Sequence, residues 1–269
     1  MPGIADYYNQ FDEWGRLERE PLEFKGNWHY MTKYLPPSGR ILDNGAGPGK
    51  YAIQLADRGY DVTLTDLIPR LVNLAFSQAE ERGLLDRFSG FHVSDARNLS
   101  PCVDGEFDAS LMLGPLYHLQ EEEDRVKAVK ELHRVTREGG IVFVAFMSRT
   151  RHILNSLLAP DRWKPNHTME NIHTFSESGR FNHDDEGRFT GAYYFDIDEI
   201  KPFMESNGFE QIELISSNVA SLFPEDHWIY WKERGPDEWA KVEELLIKEA
   251  KNPFLHGISS HLLYIGRRG

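Results

Sequence analysis

Apolar and polar positions alternate along most of this chain between two periods. Arg40-Ile41-Leu42-Asp43 is a short apolar run that follows the breaker Pro36-Pro37-Ser38-Gly39, and it predicts a strand. Tyr51 to Arg58 has helical spacing and stops at Gly59, and Asp61 to Asp66 reads as a second strand. Pro69 opens a predicted helix to about Arg82, closed by Gly83. Phe88 to Ser94 and Phe107 to Met112 are predicted strands three and four. Glu121 to Arg137 is a long predicted helix ended by Gly139-Gly140, and Ile141 to Phe146 is an apolar fifth strand suited to the middle of a sheet. Such alternation predicts a doubly wound, parallel sheet covered by helices.

Beyond Met147 the periodicity weakens. Ser148 to Thr190 mixes His, Asn, Arg and aromatics, and a bare loop of that length is unusual in a compact domain. An inserted lobe or lid is expected there. Regular patterning returns at Asp196 to Asn207 (helix), Phe209 to Ser217 (strand), Asp237 to Lys251 (helix) and His261 to Gly266 (strand). The last pair of strands suits antiparallel edge positions. At the other end, Tyr7, Phe11, Trp14 and Leu17 recur at three- to four-residue spacing and predict an amphipathic helix. Four segments result: a helical cap (1–38), a core (39–147), an inserted substrate lobe (148–195) and a C-terminal completion of the sheet (196–269).

Composition narrows the setting. The single cysteine, Cys102, cannot form an internal disulfide, which points to a reducing, cytoplasmic location. Its polar surroundings make it a bystander rather than a nucleophile. The first ten residues lack the apolar run of a signal peptide, and no segment approaches the ~20 apolar residues of a membrane span. A formal charge of −13 opposes a phosphate backbone, so neither a nucleic acid nor a membrane is an expected partner. Oligomeric state is not legible.

The chemistry gathers at Asp43-Asn44-Gly45-Ala46-Gly47-Pro48-Gly49, directly after the first strand. Glycines two apart let the backbone turn sharply and approach a ligand, at the carboxyl end of a strand where open α/β sheets bind. In the dinucleotide fingerprint the third glycine comes three residues after the second, whereas here it comes two after, which argues against a nicotinamide or flavin enzyme. Asp66 ends the second strand, where its carboxylate can accept two hydrogen bonds from a ribose diol.

This arrangement resembles the class I S-adenosylmethionine-dependent methyltransferases of small-molecule type, those with a methyltransferase-11-like domain. Ser94-Asp95-Ala96, Phe107 to Gly114, Leu116-Tyr117-His118-Leu119 and Glu131 to Gly140 extend the likeness across about Gly39 to Phe146. Asn44 departs from the small or apolar residue common there. The resemblance implies a Rossmann-like fold, a seven-stranded and mostly parallel sheet with an inserted lid lobe, and S-adenosyl-L-methionine as the cofactor. It implies that Asp43, Gly45 and Gly47 surround the methionine and ribose, and that Asp66 holds the ribose hydroxyls. Asp95 would meet the adenine amino group with Ala96 beside the ring, although Asp95 also suits a helix cap. Leu67 and Ile68 would face the adenine, and the Leu113 carbonyl, beside Gly114, would accept from the ammonium. Tyr7, Tyr8 and Arg16 of the N-terminal helix would cover the donor, Arg16 pairing with its carboxylate.

Transfer of a methyl group from a sulfonium is an in-line displacement that needs alignment and, for hydroxyl or amine acceptors, a proton acceptor. His118, just past strand four, is the candidate base; a histidine that only lines the donor pocket is the competing reading. The aromatics and histidines of the lobe suggest a pocket for a flat or apolar acceptor. No metal is expected, because the lobe's histidines lack a ligand spacing and His183-Asp184-Asp185-Glu186-Gly187 lacks the later positions of a calcium loop. The expected function is methyl transfer to the oxygen or nitrogen of a small molecule. The alternatives are a methyltransferase acting on RNA or protein, and a donor-binding regulatory protein without catalysis.

Overall fold

The computed structural model describes residues 14–15, 21–183, 191–218 and 226–269. Tyr7, Tyr8, Arg16 and the acidic run 184–186 lie outside the described residues.

Seven strands form one sheet: β1 (Arg40–Asn44), β2 (Asp61–Asp66), β3 (Phe88–Val93), β4 (Phe107–Met112), β5 (Thr136–Met147), β6 (Phe209–Ser216) and β7 (His261–Arg268). Their order is β3-β2-β1-β4-β5-β7-β6. The first five are parallel, and β7 runs antiparallel to both β5 and β6. Strand order reverses between β1 and β4, and the crevice at such a switch point is where doubly wound sheets take ligands.

Period-two alternation assigns side chains to the two faces. On β5, Phe143 packs with α1 (Pro21–Tyr34), α2 (Lys50–Asp57) and α3 (Pro69–Glu81). Val142, Val144 and Phe146 face α4 (Glu122–Val135). The long helix ends two residues short of the expected Arg137, and β5 begins at once. Thr136 is extended, and its buried hydroxyl donates to the Leu132 carbonyl or the Ser110 hydroxyl. Gly139 (φ 71°) and Gly140 then sit inside β5, where its register with β4 is irregular. A Cβ at Gly140 would lie 2.8 Å from the Arg137 carbonyl oxygen, so these glycines serve a bulge rather than a helix stop.

The segment after β5 contains more regular structure than its periodicity indicates. Helices α5 (Arg149–Leu158) and α6 (Met169–Ser178) are capped by the Ser148 and Thr168 side chains, and Gly179 closes α6 in the left-handed conformation. A two-stranded ribbon pairs Arg180–Phe181 with Ala192–Tyr193. The aromatics form the segment's own core rather than an open pocket: the His152 ring lies 4.3 to 5.0 Å from those of Phe181, Tyr194, Phe175 and Trp163. Buried Arg149 bonds to the Tyr194 carbonyl and pairs with Glu199, tying this unit to α7 (Ile197–Ser206). Helices α8 (Asp226–Glu233) and α9 (Pro236–Glu249) and a short helical turn, Pro253–His256, precede β7. No helix among the described residues is long and apolar enough to cross a membrane. Cys102 is buried, and burial pushes its thiol up to about 11, which removes it as a nucleophile.

Candidate functional site

A cleft of about 1140 Å³, measured to its open mouth, lies at the carboxyl edge of the parallel strands. The glycine loop forms its floor. Gly45, Gly47 and Gly49 all have positive φ (70°, 57° and 82°). A Cβ at Gly45 would penetrate the Pro115 ring, so the close approach of these two loops requires glycine. The third glycine has a different duty. A Cβ on Gly49 would meet Ala75 Cβ at 2.9 Å and Leu64 Cδ1 at 3.0 Å, so it allows the start of α2 to lie against α3 and β2.

Two carboxylates stand behind the loop. Asp66 Oδ2 accepts from the Gly47 amide and Oδ1 from the Ile68 amide, both at 2.8 Å. These bonds hold the group in place, and each oxygen keeps acceptor capacity for a further donor. Asp43 is 2% exposed, and its Oδ2 has no hydrogen-bond partner among the described residues. Burial, reinforced by the charge of Asp66, pushes Asp43 up to about 7 against the opposing Ala52 amide. A cationic ligand group is the natural complement to such a carboxylate. The neighbouring Asn44, which departs from the family pattern, accepts from the Thr65 hydroxyl at 3.1 Å and so links β1 to β2.

Asp95 and Ala96 form the far wall with Leu67 and Ile68, Leu67 exposed at the mouth and Ile68 buried. The Asp95 carboxylate is gripped by the Arg97 guanidinium at 2.6 to 3.2 Å, and this holds it below the usual carboxylate range. Arg97 also reaches Asp124 at 2.7 Å. Leu113 and Gly114 also line the cleft, and the Leu113 carbonyl accepts from the Tyr117 hydroxyl at 3.3 Å. Asp43, Gly45, Gly47, Asp66, Leu67, Asp95, Ala96, Leu113, Gly114 and His118 therefore line one cavity. Trp14, from the N-terminal segment, has Lys50 and Arg82 within 5.5 and 5.8 Å of its ring.

His118 ends a short helical turn, Pro115–His118, on the cleft wall. Burial first, and the facing His261 second, lower it to about 3. It is therefore neutral at physiological pH and a much weaker base than a free imidazole. Other cleft residues are not signalled by the sequence pattern: Lys50, Tyr51, Arg97, Pro115 and Tyr117. Tyr117 lies within the Leu116-Tyr117-His118-Leu119 motif, but nothing in its spacing indicates the hydroxyl's bond to Leu113.

A family model described as a methyltransferase domain matches residues 42–144. Residues 42–144 are therefore a methyltransferase domain. The domain is similar to the glycine/sarcosine N-methyltransferase of Parasynechococcus marenigrum (strain WH8102), 33% identical over 143 residues, covering 52% of this chain and 50% of the relative. It also resembles the tRNA 5-carboxymethoxyuridine methyltransferase of Escherichia coli (strain K12), 27% identical over 138 residues, covering 49% and 51%. The chain thus spans about half the length of these curated relatives. A solved S-adenosylmethionine-dependent methyltransferase from Methanosarcina mazei shares the fold of the methyltransferase domain and its additions, with a TM-score of 0.60, 20% identity, and coverage of 89% of this chain and 96% of that one.

Proposed function

We propose that this chain transfers a methyl group from S-adenosylmethionine to the oxygen or nitrogen of a small-molecule acceptor. The observation that carries the reading is the convergence of Asp43, Asp66, Asp95 and the Leu113 carbonyl on one cleft at the sheet's switch point. The donor, when bound, supplies an electrophilic methyl carbon on a positively charged sulfur. The residues suit it: Asp66 for the ribose diol, Asp95 with Ala96 for the adenine, the Leu113 carbonyl for the ammonium. Buried Asp43, raised by desolvation, gains most from a nearby positive charge. The glycine loop admits the ligand close to the backbone, and the apolar wall of Ile68 and Leu71 excludes water. The Parasynechococcus relative, an amine-directed enzyme by its name, supports a small acceptor, and the charge of −13 weighs against an RNA surface.

Calorimetry with S-adenosylmethionine, S-adenosylhomocysteine and NADH tests the reading. Binding of the first two and none of NADH is expected. NADH binding, or no binding of donor and product, overturns it. Tight donor binding without turnover on phenols, amines, thiols or carboxylates would move the assignment to a regulatory donor-binding protein.

A further inference from the structure

A second group of polar side chains lies next to the donor cleft, on elements outside the glycine-loop motif. Glu23 on α1 is only 6% exposed, a depth at which a carboxylate is costly unless paired. Its Oε2 lies 3.2 Å from Nδ1 of His261. His261 is the first residue of β7 and pairs with Met147, the last residue of β5. Because β7 is antiparallel, its beginning reaches the edge where the parallel strands end. The His261 ring is 5.6 Å from that of Tyr117, which is 5.0 Å from that of His118, and both of these line the cleft. One turn beyond Glu23, buried Asn27 donates to the hydroxyl of Tyr51, another cleft residue, at 3.2 Å. The Asn27 Oδ1 is buried with no hydrogen-bond partner among the described residues.

The two histidines at this end are not equivalent. His118 is held neutral by desolvation and by the facing His261. His261 has a carboxylate against Nδ1. A carboxylate there favours the ring proton on Nδ1, which puts the lone pair on Nε2. Among the described residues, the titratable groups near His261 are Glu23 from α1, and Tyr117 and His118 from the turn after β4.

We propose that His261, oriented by Glu23, accepts the proton of the acceptor's nucleophilic atom, and that the acceptor is therefore an amine or a hydroxyl compound. This rests on the methyl-transfer reading above. The acceptor's lone pair forms the bond to the methyl carbon, and the electrons of the breaking carbon–sulfur bond pass to sulfur, which leaves as the neutral thioether. The acceptor's proton moves to His261 Nε2, and Glu23 balances the resulting charge until solvent takes the proton. The lone acceptor atom of Asn27 suits a second N–H or O–H on the same molecule. A carboxylate or thiolate acceptor has no proton to give and would leave the Glu23–His261 pair without a task.

The test uses the full chain and the variants His261→Ala and Glu23→Gln. Nitrogen-15 NMR of the histidines, with S-adenosylhomocysteine bound, reads the tautomer of His261. Transfer of labelled methyl from S-adenosylmethionine to glycine and to catechol reads the chemistry. Expected are an Nδ1–H tautomer in the wild type and a mixed population in Glu23→Gln. Product affinity should stay within about threefold while transfer by His261→Ala falls roughly 10²- to 10⁴-fold, with partial rescue by added imidazole. An Nε2–H tautomer in the wild type, or transfer by His261→Ala within about threefold of wild type, overturns the proposal. An Nε2–H tautomer overturns the proposal even if neither probe is methylated. Failure of the wild type to bind S-adenosylhomocysteine removes the methyl-transfer reading instead, so the two failures are distinguishable.

Discussion

Replacing Asp43 by asparagine separates the stability of the empty fold from the function of its cleft. Asp43 is fully enclosed, and its carboxyl moves from 3.8 to about 7 on folding. The native chain therefore binds more protons than the unfolded chain between these values. Wild-type stability should fall as pH rises through that window and level off above it. At about 1.36 kcal/mol per unit, the full cost is about 4 kcal/mol, an upper figure. The amide of the Asp43→Asn variant does not titrate. The stability difference between variant and wild type, measured by urea unfolding, should widen in the variant's favour by about 1.4 kcal/mol from pH 6 to pH 8. The same substitution removes the charge that a cationic donor would meet. Wild-type calorimetry in buffers of different ionisation enthalpy should show donor binding releasing about 0.9 proton at pH 6 and about 0.5 at pH 7. The variant should bind more weakly and release none from this site. Parallel pH–stability curves for the two proteins, or equal proton release, would refute the reasoning.

Three further outcomes follow from local geometry. Gly45→Ala combines a disfavoured φ of 70° with the Pro115 overlap; it should cost about 1–3 kcal/mol or more in thermal unfolding and abolish donor binding. Arg97→Ala releases the Asp95 carboxylate from its two-pronged contact, so the donor Kd should rise several-fold with little change in melting temperature; an unchanged Kd would show that Asp95 needs no such support. Burial, and secondarily His183, lower His152 to about 3, so the native state binds fewer protons than the unfolded chain and wild-type stability should decline as pH falls below about 6.5. His152→Leu should remove about 2 kcal/mol of that decline by pH 5, read from denaturant midpoints.

The glycine loop and the acids that line the cleft were legible because the pattern they follow is local. Gly45 and Gly47 lie within one turn, Asp66 ends one strand, and Asp95 opens the loop after the next. Backbone geometry dictates those residue types at that spacing, so the pattern survives without knowledge of the packing. The helices after β5 carried readable signals as well, in the caps Ser148 and Thr168 and in Gly179, but their apolar faces meet a small local core and show weak periodicity. Gly139-Gly140 misled for the opposite reason: a left-handed glycine after a helix and one within a strand bulge look alike until pairing is known.

Local sequence was enough for the alternating α/β order, the glycine loop and the acids beside it, because each depends on neighbours a few residues away. The character of the histidines, by contrast, emerges only on folding. His118 sits where its motif indicates, yet burial lowers its basicity. His261 carries no motif, yet it meets a carboxylate 238 residues earlier in the chain. Desolvation and charge pairing are properties of the packed interior, and they exist only once α1 and β7 have been brought together beside the cleft.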